Sequence, residues 1–587
     1  MYETSNKPLL SRAALILLAL AFTLIWFGQL DLRHLVPTDE GRYAEMAREM
    51  LQTGNWITPR YNGYKYFEKP PLQTWLTALS FAWLGIGDWQ ARLYTALTGF
   101  IGVLAVGYTG ARVFTPRAGL FAAVALAASP YWNLLGHFNT LDTGLSCAMA
   151  VTLCSLLLAQ RPNLSKRQVR GWMWLCWASM ALAVLSKGLI GIVLPGAVLI
   201  LYSLIARDWA LWKRLYLVSG LLLFFLIATP WFVLVDSRNP EFFDFFFINE
   251  HFRRFLTPSH HRTGPLFYFV PVLLVGFLPW LSVCWQSVRH VIRLPRQANR
   301  FSPAIMLLVW TGFIFFFFSI SESKLISYIL PVAPAIALLL GVYLPLVTRL
   351  QLNRHLVGYA VLCAVLLVAT TVGIYVMHPG DERTPHALYA AYGPYLYGAL
   401  VVTLLGLALA AWLNRRAAPH ATLHALLVYA ATWFLMATIA GNGHEVFGKA
   451  SSGVAMVPAV RAEMAKLPTD TPFYAVGVLD HTMPFYLRHT MIIVENPDEL
   501  AFGVQQEPAK WVPTFAAWSM RWQQDRTALA LMTPATYDMF VAQHLPMQVI
   551  ARDERRVIVA KPTVADPSAA KPSAASPGVT TPAVANP

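Results

Sequence analysis

The stretch Tyr64–Gly87, YKYFEKPPLQTWLTALSFAWLGIG, decides how the chain is threaded. It sets Glu68, Lys69, Pro70 and Pro71 directly before a mostly apolar run. That run is somewhat shorter than the roughly 20 residues a helix needs to cross a bilayer. If 71–87 crossed, the basic loops ARVFTPR (111–117) and RPNLSKRQVR (161–170) would lie outside, and so would every basic loop after them. If it does not cross, all of them fall inside, as the distribution of Lys and Arg requires of short loops. The second threading is adopted. Proline suits the first turn of the helix that follows. Trp75, Phe81 and Trp83 suit a helix lying on or dipping into the outer face.

The class follows from composition. The chain has 587 residues, 56% hydrophobic and only 13% charged, with the apolar residues in long blocks. Blocks such as 118–135, 212–235, 265–286, 302–320 and 354–377 are each about long enough to span. The expected fold is mainly α, a polytopic helix bundle with about thirteen spanning helices, N-terminus inside and C-terminus outside. The first apolar run, 13–30, has no small-residue cleavage pattern after it and reads as a retained helix. The net charge of +15 gathers in the loops between apolar runs, including 207–214, 289–300, 349–354 and 414–416. It therefore sets orientation and implies no nucleic acid. All five cysteines fall inside expected spans, without a CxxC pair.

The transmembrane part is expected over 1–441, with outer loops at 31–90 and 236–264. Residues 442–562 alternate in pattern. FYAVGVL (473–479), MIIVE (491–495) and ALALM (528–532) read as strands, PATYDMFVAQH (534–544) as a helix and 547–561 as a hairpin turning near Asp553–Arg555. A small outer α/β domain is expected there, followed by a Pro/Ala-rich disordered tail from 563.

Ionisable residues near membrane depth are costly, so their positions are informative. Asp142 is the only acid between Gly119 and Arg207. Lys187 and Lys324 sit at short outer hairpins. PTDEGRYAEMAREMLQTG (37–54) has Thr38 or Asp39 as N-cap and Gly54 as its stop. Tyr43, Met46, Ala47, Met50 and Leu51 follow helical spacing, which reads as an amphipathic helix on the membrane surface. Asp39, Glu40, Arg42, Glu68, Lys69, Asp142, Lys187, His251, Arg253, Arg254 and Lys324 can thus share one outward face. Carboxylates and cations on the rim of an apolar bundle suit a substrate with a lipid tail and an anionic head. Each has a plainer reading: Asp39 as a helix cap, Lys187 and Lys324 as snorkelling side chains. No nucleotide-binding loop, Ser-His-Asp signature or His/Cys ligand spacing is present.

PTDEGRYAEMAREML, YKYFEKPP, TLDTGL, LSKG, PEFFDFFFINEHFRRF, HRTGPLFYFVPVLLVGFLPW and SKLISYILP occur in this order. Together they resemble the bacterial lipid A aminoarabinose transferases, inner-membrane glycosyltransferases of the GT-C fold related to protein O-mannosyltransferases. The resemblance covers about residues 12–350 well. It implies a periplasm-facing enzyme that moves 4-amino-4-deoxy-L-arabinose from undecaprenyl phosphate to a lipid A phosphate with inversion, an activity tied to polymyxin resistance. Its partners would be those two lipids and the surrounding membrane, with the protein a monomer. It implies catalytic roles for Asp39 and Asp142. Carrier phosphate and sugar would be held by Arg42, Tyr43, Tyr66, Lys69, Lys187, Arg254, Lys324 and Tyr328. No cofactor is required; a non-essential divalent metal would fall to Glu68 and His251. Where the family carries DETRYAE this chain has DEGRYAE, so Gly41 removes a side chain beside the site and bears on the fit of the sugar. Two other readings stay open: a related GT-C transferase with another polyprenyl-linked sugar or a protein acceptor, and a lipid transporter or flippase. The gathering of charge at one face, without midplane charges or internal repeats, weighs against the transporter.

Overall fold

The computed structural model describes residues 9–253, 264–297 and 299–562, without the side chains of 251–253. They form two compact units. The first comprises the chain to Val454 together with His481–Arg488; the second comprises Ala455–Asp480 and the chain from His489. The division falls beyond the expected 441/442 because the chain stays helical, through Ala421–Gly443 and Glu445–Ser452, before it leaves the first unit. The expected disordered tail lies outside the described residues.

The first unit begins with α1 (Arg12–Gly28), α2 (Asp39–Thr53), the strands β1 (Arg60–Tyr61) and β2 (Tyr64–Lys65), and α3 (Leu72–Leu84). There follow α4 (Asp88–Val113), α5 (Pro116–Ala127), α6 (Pro130–Leu135), α7 (Leu141–Ala159) and α8 (Lys166–Lys187). At 13 residues α3 is neither among the helices long and apolar enough to cross a bilayer nor among the shorter apolar helices. Among the described residues nine helices are long and apolar enough to cross, and a pair bent by 75°, Phe269–Gly276 with Leu278–Ile292, is a tenth candidate. Three shorter apolar helices, Arg12–Gly28, Pro116–Ala127 and Ile190–Ala206, occupy other expected spans. The helices cross closely where side chains are missing. A Cβ at Gly102 would lie 2.4 Å from the Trp132 ring, and one at Gly110 would lie 2.9 Å from the Gly119 backbone. Small residues at such crossings allow the backbone contact that drives helix association in lipid. Trp26, Trp132 and Trp280 are fully buried, and each ring N–H donates to a backbone carbonyl.

α2 has the expected bounds, with Gly54 in the left-handed conformation ending it. Its surroundings differ from the expectation: Glu40 through Met50 are all buried, the polar residues included. Protein covers the polar face that helical periodicity assigns to water, because α3, β1 and the short helix Met483–Leu487 pack around it.

The second unit carries a five-stranded sheet of β3 (Phe473–Val476), β4 (Ile492–Val494), β5 (Leu529–Met532), β6 (Gln548–Arg552) and β7 (Val557–Ala560). Its order is β4-β3-β5-β7-β6. β3 runs parallel to β4 and β5, β7 is antiparallel to β5 and β6, and the β6–β7 hairpin is bulged between Val549 and Ala551. β3, β5 and β7 are buried along their length. Trp518, Trp522 and Phe540 pack in the same core.

Candidate active site

α7 and α8 are consecutive helices of 19 and 22 residues joined by a short basic connection. Paired as antiparallel neighbours, the start of one meets the end of the other. Asp142, in the first turn of α7, therefore pairs with Lys187, the last residue of α8. Each charge also stands at the helix terminus that favours it. Gly188, at φ 86°, ends α8 directly behind Lys187. The Lys187 ammonium lies 4.7 Å from the centre of the Tyr328 ring, a cation–π contact. Three chain segments thus bring Asp142, Lys187 and Tyr328 together.

A second group is built on the start of α2. Asp39 pairs with Arg42 one turn on. Arg42 is buried and donates from Nη1 to the Tyr66 hydroxyl at 3.1 Å. Its guanidinium also lies 5.0 Å from the Tyr43 ring centre. Glu40, next to Asp39, accepts from the amide of Asn139, three residues before Asp142, so the start of α2 lies near the start of α7. Asp39 keeps a side chain 38% exposed, so the pair with Arg42 leaves the carboxylate open to a ligand.

Lys69 and Lys324 are held separately. Lys69 Nζ donates to the Glu68 carbonyl at 2.8 Å and lies 3.4 Å from a Glu250 oxygen. Lys65 pairs with Glu241 at 2.6 Å, so two lysines before α3 engage the acidic residues of 241–250. Lys324 is buried and donates to the Ser321 carbonyl at 2.7 Å. Glu68 is half-buried. Arg254 and the side chain of His251 lie outside the described residues. Among the described residues no three His, Cys, Asp or Glu side chains gather as a metal would need.

Behind Asp39 lies a buried ion pair of which the sequence reading had only one half. Arg92 of α4 holds both Glu40 oxygens, at 2.7 and 2.9 Å, and also donates to the Leu30, Arg33 and His34 carbonyls. Glu40 accepts from the Asn139 and Val36 amides as well. Burial pushes the Glu40 carboxyl up, but the charge and hydrogen bonds of Arg92, with Arg33 and Asn139, outweigh it and hold the carboxyl below its ordinary value. This pair ties α2, α4 and the loop before α7, so it holds the start of α2 beside the start of α7.

Gly41 packs against the backbone of residues 481–482. A Cβ there would lie 2.1 Å from the His481 carbonyl oxygen and 2.8 Å from Thr482 Cγ2. The missing side chain makes room for the backbone of 481–482.

The match to the family model described as aminoarabinose transferase C-terminal domain covers residues 456–561. The model described as dolichyl-phosphate-mannose-protein mannosyltransferase matches residues 68–233. The undecaprenyl phosphate-α-4-amino-4-deoxy-L-arabinose arabinosyl transferase of Edwardsiella ictaluri is 30% identical over 388 residues, which is 64% of this chain and 67% of that protein. The crystal structure of ArnT from Cupriavidus metallidurans bound to undecaprenyl phosphate is 42% identical and superposes with a TM-score of 0.89, covering 96% of this chain and 100% of that one. Its apo form is 43% identical with a TM-score of 0.86, over 93% and 97%. A multi-pass helix bundle with this rim of paired charges, alike in fold to ArnT over nearly its whole length, belongs to the undecaprenyl phosphate-aminoarabinose arabinosyl transferases, glycosyltransferases of the GT-C fold.

Proposed function

We propose that the chain transfers 4-amino-4-deoxy-L-arabinose from undecaprenyl phosphate to a phosphate of lipid A, at the periplasmic face of the bacterial inner membrane. The observation that carries this reading is the pair of charged groups, Asp39–Arg42–Tyr66 at the start of α2 and Asp142–Lys187–Tyr328 where α7 begins and α8 ends, with α2 tied to the loop before α7 through Glu40 and Asn139. It is supported by similarity to an ArnT whose structure holds undecaprenyl phosphate.

The chemistry asks little of a general base. A phosphate is already ionised near neutral pH, so the acceptor oxygen attacks the anomeric carbon without first losing a proton. The carbon–oxygen bond to the carrier phosphate breaks as the new bond forms on the opposite face. Undecaprenyl phosphate leaves with the electron pair. Arg42, Tyr66 and Lys69 hold the carrier phosphate, with Arg254 as the further cation of the second loop. Asp39 faces the positive charge that develops on the sugar ring, a preorganised electrostatic role. Asp142, oriented by Lys187, takes a sugar hydroxyl or the sugar amine. No step passes through a metal, and the protein works as a monomer. The test is the mass of lipid A from cells expressing the chain: the reading expects addition of one aminoarabinose. Unmodified lipid A with transfer to a protein acceptor would replace it with the related-transferase reading.

A further inference from the structure

The phosphate-facing tyrosine is itself held by a residue far away in sequence. Tyr66 meets Tyr61 edge to face, with ring centres 5.7 Å apart. Tyr61 is fully buried, and its hydroxyl lies 2.8 Å from His481 Nδ1. The His481 imidazole lies within 9° of parallel to the Tyr61 ring. His481 comes from the second unit's stretch of chain, but its segment, His481–Arg488, folds into the first unit.

That segment is anchored at several points. Thr482 Oγ1 donates to the Ser452 carbonyl at 2.8 Å. The Tyr486 hydroxyl donates to Asp88 at 3.0 Å and accepts from the Leu35 amide at 2.7 Å. The His481 backbone fills the space left by Gly41, beside Asp39. On a backbone anchored in this way, the His481 imidazole, stacked on the Tyr61 ring, holds the Tyr61 hydroxyl. The Tyr61 ring in turn limits where Tyr66 can stand.

We infer that His481 is a positioning residue for the carrier-phosphate site, acting through Tyr61 on Tyr66 and Arg42. The inference rests on the proposed reading only for the role of Tyr66 toward a phosphate. A fixed tyrosine accepts from Arg42 and donates to the lipid phosphate without first losing side-chain freedom, and preorganisation of this kind raises affinity.

The test uses the full chain in detergent, with undecaprenyl phosphate as the probe. Dissociation constants are measured for the wild type, Tyr61→Phe, His481→Ala, His481→Asn and the Tyr61→Phe/His481→Ala double variant, alongside unfolding temperatures without lipid. Tyr61→Phe and His481→Ala are each expected to weaken binding about three- to tenfold, the scale of one hydrogen bond. The double variant is expected to match the weaker single variant, because both remove the same contact. His481→Asn places a side-chain acceptor close to the position of Nδ1 and is expected to bind within about twofold of wild type. Unchanged affinity with a lowered unfolding temperature would reduce His481 to a packing role and overturn the inference, as would multiplying effects in the double variant. If His481→Ala does not fold, Tyr61→Phe and His481→Asn decide it: wild-type affinity in Tyr61→Phe overturns it. A wild type that binds the lipid but transfers no aminoarabinose would defeat the proposed function and leave this comparison intact.

Discussion

Glu49 offers the sharpest test of the burial seen around α2. The helix carries Glu45, Arg48 and Glu49 on one buried side. Arg48 is already engaged: Nε and Nη2 hold the two Glu45 oxygens, each at 2.6 Å. Glu49 receives the Gly63 amide at 2.8 Å but shares its surroundings with Glu45. Burial, and then the Glu45 charge, push the Glu49 carboxyl up to about 8 from an ordinary 4.5. The folded state therefore keeps a proton that the unfolded chain releases. Stability is undiminished below the ordinary value, falls as pH rises from about 4.5 to about 8, and stays reduced above that. Each pH unit in the window is worth about 1.4 kcal/mol, so the full loss is at most about 5 kcal/mol. Glu49→Gln keeps an acceptor for the Gly63 amide and presents a neutral donor toward Glu45. Its unfolding temperature in detergent, compared with wild type at half-unit steps from pH 5 to 9, should show a gap that widens to about pH 8 and then levels. A gap that does not change with pH would refute the reasoning, whatever its size.

Gly41→Ala sets a methyl against the backbone carbonyl of His481 rather than a yielding side chain; it should destabilise the protein by about 3 kcal/mol, the upper end for overpacking, read as a fall in unfolding temperature. Arg92→Met should cost about 3–5 kcal/mol by leaving Glu40 buried without its partner; a stability equal to wild type would show that Glu40 is satisfied without it. Asp39→Asn should lower sugar transfer about a hundredfold while undecaprenyl phosphate binding stays near wild type; near-wild-type turnover in the folded variant would return Asp39 to a cap and an Arg42 partner. A topology reporter fused after Gly87 should report the outer side, and an inner signal would reverse the threading on which the placement of every loop rests.

What could be read from the chain alone was what local pattern controls. Apolar block length is a property of short segments, so the helix bundle and the shortness of α3 were legible from the apolar runs and from Tyr64–Gly87. Alternation and turn residues likewise placed all three strands and the hairpin of the second unit within a few residues. Asp142 and Lys187 were legible as costly charges in apolar surroundings, but their pairing required the antiparallel return of α8 along α7. Helical periodicity reported that α2 has a polar side; it carries no information on what covers that side. Only the tertiary structure showed Glu45, Arg48 and Glu49 under protein, and Arg92, 52 residues along the chain, against Glu40. His481 lies 420 residues from Tyr61 and stands in no local motif. Its place beside Tyr61 depends on a chain that leaves the first unit, forms β3 and returns, and on a glycine at 41 small enough to admit it. Contacts between such distant segments are selected by packing of the whole bundle, which no window of sequence encodes.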